Sequence, residues 1–139
     1  MHISAKINYS CKALLELALH WPSSEPVQIG VISKHQDIPI KFLTHILLNL
    51  KQHGFVESIR GKTGGYVLAL APREIKLSDV FYKIGNEEAN FKKAESSKDI
   101  FCGIWKEVDQ CLHHKMEEMD FESIIHRQQT KDQTMMFQI

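Results

Sequence analysis

No stretch of this sequence is apolar for long enough to cross a bilayer. Met1 to Ser10 carries no apolar core of a secretory signal, so a cytoplasmic location is expected. Cysteine is sparse and odd in number, three at irregular spacing, which excludes the paired framework of a small secreted domain. Catalytic signatures are missing too. There is no HExxH, no CxxC, no glycine-rich loop opening a helix, and no nucleophile, base and orienter in a recognisable set. An enzyme is therefore not expected. Glycine is scarce, seven residues in 139, yet three fall between Gly61 and Gly65. That concentration marks a tight turn, because glycine reaches positive φ without steric cost.

The turn lies in "IRGKTGGYVLA", Ile59 to Ala69. Its flanks, Phe55 to Arg60 and Tyr66 to Leu70, have the period-two character of short strands, so the segment reads as a β-hairpin with Arg60, Lys62 and Thr63 at its tip. The lysine does not fit a Walker pattern and no helix follows Gly65. A cationic hairpin of this kind suits a wing laid against DNA.

What precedes the hairpin agrees. A helix is expected from about Asn8 to His20, with Cys11, Leu14, Leu15, Ala18 and Leu19 as its buried stripe. "PSSEP" (Pro22 to Pro26) is a loop. A short helix over Gln28 to His35 buries Ile29 and Ile32, "QDIP" makes a turn, and a third helix runs to His53 before Gly54. The third helix has Leu43, Ile46, Leu47 and Leu50 as its core stripe. Two short helices, a tight turn between them and a basic hairpin make a winged helix-turn-helix: a mainly α fold with one small wing.

Beyond it, Pro72 to Gly85 reads as a helix capped at Ser78. Residues 86–99 are polar and read as a flexible sensor loop. A long helix over Ile100 to Met119 carries Trp105, Val108, Leu112, Met116 and Met119 at heptad-like spacing, a seam for a partner helix in a homodimer. Asp120 caps a short helix over Phe121 to Arg127, and the tail 128–139 is polar until "MMFQI", which is expected to dock. The chain thus divides into a DNA-binding domain (1–85), the loop (86–99), the dimerisation helix with its short follower (100–127) and the tail. Charge divides in the same way. The net charge is zero, but residues 1–85 hold ten Lys/Arg against six Asp/Glu, and residues 86–139 seven against eleven. A basic front and an acidic back fit a polyanion-binding module with a separate association element.

The second helix of such a motif enters the major groove with the face opposite its core stripe. That face carries Lys41, Thr44, His45 and Leu48. Lysine and histidine can donate to guanine, and Thr44 and Leu48 can meet a thymine methyl. Gln28, at a helix N-terminus, is placed for a phosphate, and Ser4, Lys6 and Tyr9, before the first helix, add backbone contacts.

The blocks "ISAKINYSCKALLELALH", "IGVISKHQDIPIKFLTHILLNLKQHGFVESIRGKTGGYVLA" and "EIKLSDVFYKIG" resemble the Rrf2 family of bacterial transcription regulators. The resemblance implies a winged helix-turn-helix with a long C-terminal helix, an intertwined dimer and a near-palindromic operator on double-stranded DNA. It implies base reading by Lys41, Thr44, His45 and Arg60. The sequence departs from the family at Leu48, usually smaller or polar, and at Asn49, usually basic, so the operator does not transfer.

Many members of this family hold an iron–sulfur cluster on three closely spaced cysteines and a variable fourth ligand. That run is missing here; Cys102 and Cys111 stand alone, with Cys11 far away. Nine residues apart on one helix, Cys102 and Cys111 would be separated by about 13–14 Å and about half a rotation, too far for one cluster. A cluster would need Cys102 in the preceding loop, or ligands from both subunits, with Asn8 and Cys11 at the start of the first helix. Cys102 lies near a family ligand position, judged by its spacing to Trp105. Cys11 lies on a core stripe, where free cysteine is inert filler. Cys111 and His114 share a face at i, i+3 and could form half a metal site, or be solvated. The residues leave open a bound cluster, a redox-active thiol without metal, and no sensing by cysteine. The ending "QTMMFQI" and the single Trp105 at the head of the last long helix resemble a cofactor-free subgroup controlled through a partner protein.

Overall fold

The computed structural model describes residues 2–85 and 99–137. In chain order it contains α1 (Ala5–Leu19), α2 (Ile29–Gln36), α3 (Ile40–Gln52), β1 (Val56–Ile59), β2 (Gly65–Leu68), a 3-10 turn (Pro72–Glu74), α4 (Leu77–Gly85), α5 (Ile100–Glu117) and α6 (Phe121–Phe137). This is the mainly helical winged helix-turn-helix expected. The expected loop over 86–98 lies outside the described residues, and Asp99 is the N-cap of α5, accepting from the Cys102 amide at 3.1 Å.

α1 begins three residues earlier than expected because Ser4 caps it, its Oγ accepting from the Ile7 amide at 3.2 Å. Lys6 and Tyr9 therefore lie within the helix rather than before it. The buried face is also rotated: Ile7, Ser10, Ala13, Leu14, Leu17 and Ala18 are buried, Leu15 and Cys11 pack at its edge, and Leu19 is exposed. Ser10 hides this face in the sequence, since its hydroxyl is satisfied locally by donating to the Lys6 carbonyl at 2.7 Å. Around α1 the core gathers Ile32, Ile38, Leu43, Leu47, Leu50 and Val80, all buried, whereas Ile29 of α2 is only partly buried. The stripe expected on α3 is the buried one.

α2 ends at Asp37 in the left-handed region (φ 53°), after which Pro39 caps α3. The Ser33 hydroxyl closes the turn by donating to the Ile38 carbonyl at 2.6 Å. α1 and α2 are also joined by a buried carboxylate, which the sequence reading did not single out. Glu16 is 4% exposed and accepts from His35 Nδ1 at 2.7 Å, Gln36 Nε2 at 2.9 Å and His20 Nε2 at 3.3 Å. Burial raises its pKa, but the bonds from Gln36, His35 and His20, with the charge of His35, outweigh that and leave it lowered. A folded-state pKa below the unfolded one gives stability that is present above the ordinary glutamate range and lost as pH falls through the folded value. Glu16→Gln should therefore unfold with a flatter acid limb, about 1–3 kcal/mol less stable at neutral pH, in urea melts across a pH series.

Ser78 is not a cap. Pro72 to Glu74 form a separate 3-10 turn, and Ser78 is buried inside α4, which starts at Leu77. The break arises where Ile75 and Leu77 pair with the α5–α6 turn: the Leu77 amide donates to the Met119 carbonyl (2.8 Å) and Phe121 donates to Ile75 (3.0 Å). Asp120 caps α6 as expected, accepting from Ser123 at 2.8 Å, but α6 continues to Phe137. The boundary at 127/128 thus falls within a helix. Met135, Met136 and Phe137 are exposed instead of docked among the described residues.

The expected seam breaks up: α5 ends at Glu117, so Met119 falls in the turn to the next helix, and the remaining residues divide in two. Met116 is 7% exposed and packs with Ile7 and Phe81 of its own chain, with Leu112 beside it. Ile100, Phe101, Ile104, Trp105 and Val108 are exposed. So the C-terminal end of α5 is anchored on the winged domain, and only its N-terminal half offers an apolar face.

Candidate nucleic-acid interface

Lys41, Thr44, His45 and Leu48 all lie exposed on α3, opposite its buried stripe, and Leu48 is 51% exposed. Thr44 donates its hydroxyl to the Ile40 carbonyl at 3.0 Å, which leaves the oxygen free to accept and the methyl turned to its surroundings. Lys41 rests its ammonium over the Phe42 ring, 5.1 Å from the centroid, and Phe42 stacks on Tyr9 of α1 at 6.4 Å. The first helix thereby steadies the start of the recognition helix. The sequence reading missed Gln52, which is exposed four residues beyond Leu48 on the same face; the i, i+4 spacing was the available signal.

The wing is fixed by backbone geometry. Val56 pairs with Leu68 and Ile59 with Gly65, leaving Arg60, Lys62 and Thr63 exposed in the connecting loop. Gly61 takes φ 129°, open to glycine alone without strain. A second attachment runs between Val27 and Tyr66, which exchange two backbone hydrogen bonds of 2.9 Å. Lys51 of α3 donates to the Ser58 hydroxyl of β1 at 2.7 Å, tying wing to recognition helix.

Gln28 is the N-cap of α2 and uses no side-chain cap bond. It shares a recess of about 540 Å³ with Thr63 of the wing, although Glu25 lines the same recess and opposes a phosphate there. On the other flank, Lys6 and Tyr9 meet His45 and Leu48 along a groove between α1 and α3. The Oγ of Ser4 is committed to its helix cap.

The cysteines do not converge. Cys102 and Cys111 lie on one continuous helix, α5, so the roughly 13–14 Å separation holds, and Cys102 is in the first turn and not in a preceding loop. Burial pushes the Cys11 thiol up to about 11, which keeps it protonated at neutral pH. No group of three metal-ligating side chains exists among the described residues. Among the described residues, the three cysteines of one chain therefore do not meet at a single iron–sulfur cluster. Iodoacetamide at neutral pH should modify exposed Cys111 and leave Cys11 unmodified, as read by peptide mass spectrometry.

Comparison with known proteins agrees with this architecture. Residues 3–127 match the Rrf2 family, described as iron-dependent transcriptional regulators. The chain belongs to the Rrf2 family. It is a helix-turn-helix transcription regulator and not an enzyme. An rrf2-like HTH-type regulator of Rhodobacter capsulatus is 43% identical over 84 residues, 59% of this chain and 56% of that protein, so the match spans little more than half of the relative. The structure of IscR from T. potens superposes with a TM-score of 0.77 at 25% identity, covering 91% of this chain and 88% of that one. CymR, the global cysteine regulator of B. subtilis, has the same fold, with a TM-score of 0.78 at 21% identity over 91% of this chain and 98% of its own. Among the described residues no helix is long and apolar enough to cross a membrane.

Proposed function

We propose that this Rrf2 regulator binds operator DNA as a homodimer, with α3 in the major groove and the wing on the adjacent groove. The observation that carries the reading is that Lys41, Thr44, His45 and Leu48 stand exposed on one face of a helix whose other face is core. Arg60 and Lys62 stand at the tip of a hairpin bonded to Val27, just ahead of α2, and to Lys51 of α3. Lys41, His45 and Arg60 are assigned to base edges. Lys6, Tyr9, Gln28, Lys62 and Thr63 are assigned to the sugar–phosphate backbone, and Ser4 acts by holding the α1 terminus. The exposed apolar face of α5, Ile100 to Val108, supplies the dimer contact. Residues 1–85 form the reading domain and residues 99–137 the association element, and a regulator that binds operator DNA works in the cytoplasm.

Arg60→Ala tests the base assignment. Affinity should fall by about 1–3 kcal/mol, with relaxed preference at one operator position in a competitive binding-site selection. An equal loss on all sequences would make Arg60 a phosphate contact.

For the signal, the failure of the cysteines to converge within one chain favours control without a cluster, by thiol oxidation at exposed Cys111 or by a partner protein. Anaerobic purification, with iron and acid-labile sulfide counted per dimer, tests this. A colourless dimer that binds DNA is the expected result. Matching iron and sulfide would instead mean ligands drawn from both subunits.

A further inference from the structure

The groove between α1 and α3 has the dimensions of a ligand site, about 590 Å³. Its floor and walls are apolar: the stacked rings of Tyr9 and Phe42, with Ile46 and Leu48. Two large side chains there, Phe42 and Leu48, remain about half exposed, an unusual amount of apolar surface beside a face meant for a polyanion. The rim is polar and never acidic. Lys6 supplies a cation, His45 a ring nitrogen, and Asn49 and Gln52 amides, while the first turn of α1 holds no acidic residue. α1 also opens at this groove with its positive end, and Ser4 satisfies only the Ile7 amide of that first turn.

We propose that this groove is an effector site for a small organic anion with a flat apolar body, such as an aromatic carboxylate or sulfonate. The body lies against Tyr9, Phe42 and Leu48, and the anionic group meets Lys6 at the α1 terminus. Because His45 and Leu48 form the groove and also belong to the reading face, an occupied groove excludes DNA. That coupling rests on the DNA-binding reading above; the site itself does not.

The test uses the full chain and 8-anilinonaphthalene-1-sulfonate, followed by amide chemical shifts. Saturable shifts should fall in Ala5 to Tyr9 and Phe42 to Gln52. Shifts confined to Ile100 to Val108 of α5, or an absence of saturation, would overturn the site. Ala5→Phe, or Asn49→Phe if the first variant folds poorly, fills the groove and should weaken the probe about tenfold or more. Unchanged affinity in a folded variant would overturn the proposal. The neutral analogue N-phenyl-1-naphthylamine should bind more weakly; equal binding would overturn the anionic class. Adding duplex DNA at low salt should reverse the groove shifts, and a ternary complex would overturn the exclusion. A duplex that moves no α3 amide in the free protein would sink the DNA reading and the exclusion with it, while the probe titration still decides the site.

Discussion

Phe121→Ala is expected to destabilise the chain by about 3–5 kcal/mol. Phe121 is 1% exposed and sits in the main core cluster, although it belongs to the last helix. Its amide donates to Ile75, next to the Lys76–Asp120 bridge, so the side chain and the backbone secure the same junction. Removing the ring leaves a cavity between α6, α1 and the 3-10 turn, where rigid backbone pairing limits collapse. Urea unfolding should show a lowered midpoint. Phe137→Ala, at the exposed end of the same helix, should leave the midpoint nearly unchanged. Equal midpoints for the two variants would show that α6 does not pack on the winged domain.

Gly65→Ala should cost less stability but should damage DNA binding as well. A Cβ at Gly65 would collide with the Val27 carbonyl and the Gln28 amide, backbone atoms that cannot rotate away. Accommodation requires parting the bonds between Val27 and Tyr66, which carry the wing on the start of α2. Overpacking of this kind costs about 1–3 kcal/mol. The wing tip would also lose its placement relative to Gln28 and α3, so DNA affinity should fall further than stability alone accounts for. Circular dichroism melts and anisotropy titrations on one preparation separate the two losses. A Gly65→Ala protein with normal DNA affinity would mean that the wing is not held where Val27 and Tyr66 place it.

The recognition helix was legible from the sequence because its pattern is clean: Leu43, Ile46, Leu47 and Leu50 repeat at helical spacing, and Gly54 follows the helix end at φ 81°. The wing was legible because three clustered glycines admit few alternatives. Polar residues with local partners hid more. Ser10 is buried on its own helix's carbonyl, and Glu16 is buried against three side chains from two helices, so neither looks like core in a hydrophobic count. The extent of α6 was missed for the opposite reason. Its stretch from Gln128 to Thr134 is polar on all sides, with Thr130 and Thr134 bonded back to the preceding turn, and a helix segment that buries little leaves no period to find. The split seam on α5 was invisible in one dimension: heptad spacing identifies an apolar face but not which chain covers it.

If α3 and the wing grip a polyanion, affinity for duplex DNA falls steeply across a salt series. With Lys6 and Lys62 of both chains on phosphates, the plot of log affinity against log salt should fall with a slope of about −3 to −4 or steeper. Lys62→Ala should make it shallower by about 2. A flat line for the intact protein would mean that α3 and the wing do not hold DNA phosphates.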